Sequence, residues 1–83
     1  MKLRLEHFYK IKDSYGEVAI AKYMGRQEGF ECCVCHKGNN AYTFNIYAYD
    51  DETLEQAKEN EKNGNYETWG YGKEHMPEIL EEF

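Results

Sequence analysis

Ala41-Tyr42-Thr43-Phe44-Asn45-Ile46-Tyr47-Ala48-Tyr49 decides how this chain is read. Tyr42, Phe44, Ile46 and Ala48 alternate with Thr43, Asn45, Tyr47 and Tyr49. Period two over nine residues, rich in aromatic and β-branched side chains, predicts a strand. Directly after it the pattern changes. Asp50, Asp51 and Glu52 offer helix-capping oxygens and negative charge where the helix dipole favours it, and residues 53–62 are rich in helix formers, ending at Asn63-Gly64. A helix is predicted over 51–62. Leu54 and Ala57 are its apolar positions, a narrow stripe suited to lying on a sheet.

Upstream, residues 2–12 alternate with Leu3, Leu5, His7, Tyr9 and Ile11 on one face, which predicts a first strand. Asp13-Ser14-Tyr15-Gly16 has hairpin-turn chemistry. Residues 17–24 fit a second strand through Val18 and Ile20, although their alanines and Ser14 also permit a helix. Residues 30–36 are expected to form a third strand, which makes 41–49 the fourth. Downstream, Trp69 lies in a loop or short edge strand, and Pro77 opens a helix over 77–83 that turns Met76, Ile79, Leu80 and Phe83 toward the sheet. The expected fold is therefore α+β: one domain with a four-stranded antiparallel meander and one or two short C-terminal helices on one face.

Composition agrees with a folded domain. The chain has 83 residues, 41% of them hydrophobic and 16% aromatic. A chain of this size buries roughly 60–65% of its unfolded surface, so large aromatics must supply much of a thin core. Residues 2–7 alternate polar and apolar rather than forming a signal peptide's apolar run, and nothing approaches the ~18 apolar residues of a membrane span. Cys32, Cys33 and Cys35 are an odd, tightly clustered set, a poor disulfide framework that suits a reducing compartment. A cytoplasmic location is expected.

The net charge of −6 is uneven: residues 1–37 hold seven Lys/Arg against five Asp/Glu (+2), whereas residues 38–83 hold three against eleven (−8). Such a balance disfavours direct nucleic-acid binding, which needs cations to replace phosphate counterions, and favours a basic protein partner.

Catalytic chemistry finds no constellation. The cluster Cys32-Cys33-Val34-Cys35-His36 has zinc-ligand types, with Cys33, Cys35 and His36 the candidate ligands, but a second pair is missing and cysteine also packs well as a small hydrophobe. No cofactor is expected. A small zinc module built on Cys32, Cys35 and His36 is the alternative to a binding domain, and a self-associating structural subunit is another. Glu52, Glu55 and Glu59 follow i, i+3, i+7 spacing and predict a carboxylate stripe. With Asp51 and the aromatics Trp69 and Tyr71 they form the expected partner surface, within a wider group of exposed aromatics that includes Tyr42, Tyr47 and Tyr49. In size, charge and lack of catalytic motifs the chain resembles the short acidic inhibitors that phages and mobile elements use against host defences, the anti-CRISPR and anti-restriction proteins. That likeness implies a non-catalytic inhibitor of a basic, nucleic-acid-handling protein, acting as a monomer or homodimer.

Overall fold

The computed structural model describes residues 3–27, 41–49, 52–72 and 75–83. They form an α+β fold with five strands and one helix: β1 (Phe8–Lys12), β2 (Val18–Gln27), β3 (Ala41–Tyr49), α1 (Leu54–Lys62), β4 (Glu67–Tyr71) and β5 (Glu78–Glu82). The strands make one sheet in the order β4-β3-β2-β1-β5, antiparallel throughout. The expected strand over 30–36 lies outside the described residues. The strand expected at 41–49 is found with those bounds, and the segment at 17–24 is a strand that continues to Gln27.

Both faces of the sheet are buried. On one face Tyr9, Ile11, Ala19, Ala21, Tyr23, Phe44, Ile46 and Tyr71 pack together, with Leu3, Trp69, Met76 and Ile79 around them. On the other, Ile20, Tyr47 and Ala48 receive Ala57 of the helix, flanked by Phe8 and Leu54. Strict alternation would put Tyr49 with Tyr47 and Ala48 with Ile46. Instead the β2–β3 register shifts: Ile20 faces Ala48 but Ala21 faces Ile46, so Tyr47 is the extra residue of a bulge. Tyr47 and Ala48 therefore both turn to the helix, and Tyr49 joins the opposite face.

Three expectations are corrected. The first strand starts at Phe8 instead of residue 2. Residues 3–7 turn back on the sheet because Glu6 takes a left-handed backbone (φ 59°), with Glu6 N–H donating to Tyr23 O at 2.7 Å and Arg4 N–H to Tyr9 Oη at 2.7 Å. The helix starts at Leu54, capped by the Thr53 hydroxyl, which accepts from Gln56 N–H at 3.2 Å; the acidic residues before it are not helical where described. The third correction is the C-terminal helix. Residues 77–83 hold β5, hydrogen-bonded along β1. An isolated helix of seven residues is far too short to persist in water, whereas β1 offers a whole row of backbone partners. Charge favours the same choice: Lys10 faces Glu81 and Lys12 faces Glu78 across the ladder, and Arg4 approaches Glu82 at 4.0 Å.

A second register shift lies between Tyr23 and Gly25. Gly25 has φ +92°, and a Cβ there would meet Leu5 Cδ2 at 2.9 Å, so the N-terminal turn closes over a position without a side chain. Gly16, at φ +85° in the β1–β2 turn, faces open space. Gly16→Ala and Gly25→Ala are each expected to lose about 1–2 kcal/mol from left-handed backbone strain, the exposed Leu5 side chain being free to turn away from a new Cβ at position 25. Urea denaturation of the two variants checks this; a variant as stable as the native chain would refute the left-handed conformation at that position.

Candidate partner-binding cleft

The helix is fixed to the sheet by four side chains that differ in chemistry. Ala57, fully buried, lets the helix axis come close to β3, and Leu54 packs beside it. Asn60 Nδ2 donates to the Tyr47 carbonyl at 2.7 Å, satisfying a β3 acceptor beside the bulge. Glu61 pairs with Lys22 of β2, whose Nζ also stands 5.1 Å from the centre of the Phe8 ring. The Phe8 ring in turn meets Tyr47 edge-on at 5.8 Å.

Past Lys62 the chain turns sharply. Asn63 N–H donates to Glu59 O at 3.1 Å and Asn65 N–H to Asn60 O at 2.8 Å, ending the helix and aiming the chain at β4. The Tyr66 ring then meets the Tyr47 ring at a tilt, with centres 5.5 Å apart, and Glu67 enters β4 opposite Ile46. Between these residues and the end of β3 lies a cleft of about 420 Å³, lined by Ile46, Tyr47, Tyr49, Glu52, Asn60, Gly64, Asn65, Tyr66 and Glu67. Among the described residues, its two charged lining residues, Glu52 and Glu67, are both carboxylates.

Each carboxylate is oriented. Glu52 Oε1 accepts from Tyr49 N–H at 2.8 Å, while Glu52 N–H donates to Tyr49 O at 2.9 Å, so the pair forms a closed turn after β3. Glu67 Oε2 accepts from Tyr49 Oη–H at 2.5 Å and from Trp69 Nε1–H at 3.2 Å. Those two donors hold the Glu67 carboxyl below the ordinary carboxylate range. Burial, then the hydrogen bond to Glu67 and the negative charge nearby, pushes the Tyr49 phenol far above its usual value, so it stays a donor at any physiological pH. The Tyr49 and Trp69 rings also lie in tilted contact, with centres 6.0 Å apart and planes inclined at 50°.

The residues expected to form one partner surface are divided by the sheet. Glu52 stands at the cleft. Glu55 and Glu59 are exposed on the helix, where Lys58 and Lys62 alternate with them and Glu59 accepts from Asn63 Nδ2 at 3.5 Å. Because Glu52 precedes the Thr53 cap, it does not continue their row. Trp69 and Tyr71 face the opposite side with Phe44, and Tyr71 is buried, its ring meeting Phe44 edge-on at 5.7 Å. Asp51 and the candidate metal ligands Cys33, Cys35 and His36, with Cys32, lie outside the described residues. Among the described residues no three His, Cys, Asp or Glu side chains gather as metal ligands, and no helix is long and apolar enough to cross a membrane.

Comparison with family models, curated proteins and solved structures finds no match.

Sequence reasoning missed Asn60, Tyr66 and Glu67. Nothing in their spacing marks them, because the cleft forms where the helix exit crosses the strand end. Tyr49 had a signal as an aromatic at the end of the strongest strand.

Two substitutions test these assignments. Tyr49→Phe removes the stronger donor to Glu67, so the Glu67 pKa is expected to rise toward the ordinary carboxylate value in an NMR pH titration. The sign follows from the depressed folded-state pKa: the stabilisation is fully present above about pH 4.5, is lost as pH falls through the folded value, and shrinks in the variant. The Tyr71 hydroxyl is buried with no hydrogen-bond partner among the described residues, and burial followed by the charges of Asp13 and Glu17 raises its pKa. Tyr71→Phe is therefore expected to stabilise the fold by about 1 kcal/mol at neutral pH. A phenol with a raised folded-state pKa contributes stability below about pH 10 that is lost as pH climbs above it, so the variant should also resist alkaline unfolding better; denaturant midpoints at pH 7 and 11 check both points.

Proposed function

We propose that this chain is a non-catalytic protein-binding domain with a basic partner, and that an arginine or lysine side chain of that partner seats in the cleft at Glu52 and Glu67. The observation that carries this reading is the lining itself: two carboxylates, one held in its charged form by Tyr49 and Trp69, among the rings of Tyr47, Tyr49 and Tyr66. A cation gains from carboxylates at its charged end and from aromatic faces along its stem. The net charge of −6 supports the same partner class by drawing a basic surface in over long range. Size, charge and the absence of a catalytic motif in the sequence extend the proposal to an inhibitor of a nucleic-acid-handling defence protein, the kind of partner that carries exposed arginines for phosphate.

The experiment uses a capped peptide with one arginine flanked by glycines, titrated into the labelled protein. Signals of Tyr49, Tyr66 and Glu67 are expected to shift, and Glu52→Gln/Glu67→Gln is expected to weaken binding about tenfold, from two exposed charge contacts. Raising salt should weaken the native protein more than the variant. Equal binding by a folded variant, or shifts that avoid these three residues, would sink the proposal.

A further inference from the structure

Beyond the cleft, at the opposite edge of the sheet, we propose a second interaction surface: the outer side of β5 accepts an extended basic segment of a protein as an added strand. β5 is an edge strand among the described residues, with β1 on its inner side. Its backbone therefore carries outward donors and acceptors of the kind an extended peptide pairs with.

The side chains select what can pair there. Glu78, Glu81 and Glu82 are exposed, and between them Leu80 is 43% exposed, with Phe83 40% exposed at the end. Like charges directly opposite each other destabilise a ladder, so acidic or identical segments are repelled. The inner side of the same strand shows what is accepted. There β1 sets Lys10 against Glu81 and Lys12 against Glu78, with Ile11 opposite Ile79 between them. A strand with lysines or arginines at alternate positions and an apolar residue between repeats that solution on the outer side. Side chains of an edge strand can serve a neighbour on either hand, since they stand perpendicular to the sheet. The register shift at Leu80 adds to this, leaving that side chain unmatched in the β1 ladder and free to contact an incoming apolar residue.

The surface is separate from the cleft. Four inter-strand spacings of about 4.8 Å lie between β5 and β4, so one short segment does not span both. Each can fail without the other.

The test titrates the labelled full chain with a capped peptide, Lys-Val-Lys-Val-Lys, and with its acidic counterpart, Glu-Val-Glu-Val-Glu. Backbone amide signals of residues 78–83 are expected to shift with the basic peptide and stay put with the acidic one, and the shifts should weaken in high salt. Glu78→Gln/Glu81→Gln is expected to reduce affinity about three- to tenfold, whereas Glu52→Gln/Glu67→Gln should leave the β5 shifts unchanged. Should the β5 variant unfold, the two peptides and the salt series on the native chain decide alone. Shifts confined to the cleft, equal response to both peptides, or no response of residues 78–83 at millimolar peptide would overturn the proposal.

Discussion

The burial of β3 on both faces constrains everything else in this fold. A strand with one covered face can keep a simple alternation, but β3 must supply Phe44 and Ile46 to one layer and Tyr47 and Ala48 to the other. The extra residue at Tyr47 resolves that conflict by turning two consecutive side chains to the helix. Ala48 gives the helix a shallow floor against Ala57, and Tyr47 becomes a post around which Phe8, Asn60 and Tyr66 gather. The same shift sends Tyr49 to the opposite face, where its hydroxyl reaches Glu67. Packing and the cleft are thus two results of one bulge.

The uneven charge of the sequence finds part of its explanation in the ladder. The basic excess at the front and the acidic excess at the back meet where β1 pairs with β5, through Lys10, Lys12 and Arg4 on one side and Glu78, Glu81 and Glu82 on the other. Lys22 draws Glu61 out of the helix's exposed face. Exposed pairs of this kind contribute little stability each, about 0–1 kcal/mol, but they discriminate between registers and orientations. Of the other back-half carboxylates among the described residues, Glu52 and Glu67 stand at the cleft, while Glu55 and Glu59 alternate with Lys58 and Lys62 on the helix rather than forming one acidic ridge.

Those contrasts show which parts of the fold were legible in the sequence. Residues 41–49 could be read because alternation there coincides with aromatic content, and Asn63-Gly64 because capping chemistry is local. The helix start was misplaced by three residues since Asp50, Asp51 and Glu52 cap as well on paper as Thr53, and only the turn made by Tyr49 and Glu52 chooses between them. Residues 77–83 have helical spacing in Met76, Ile79, Leu80 and Phe83, yet pairing with a distant strand outweighs a pattern one helical turn or two long. Residues 3–7 alternate and still leave the sheet, because Glu6 takes a left-handed backbone and donates its N–H to the Tyr23 carbonyl. The cleft was hidden for the same reason in stronger form: its walls come from β3, the helix exit and β4, and no stretch of neighbouring residues contains it.

The two described edges of the sheet show how acidity governs association. Bringing two β5 strands together antiparallel would set a run containing Glu78, Glu81 and Glu82 against its own copy, with every opposing charge negative and no cation in the strand to answer it. β4 is different. Its sequence, Glu-Thr-Trp-Gly-Tyr, keeps its single charge at one end, and that charge is engaged by Tyr49 and Trp69. With that charge engaged and Trp69 half-buried, β4 presents no free charge to a neighbouring strand. The β5 edge thus excludes its own kind by charge, whereas the β4 edge has no free charge with which to select a partner. What electrostatics leaves open on the acidic edge is a chain of opposite sign, which is the relation β1 already has to β5 within the fold.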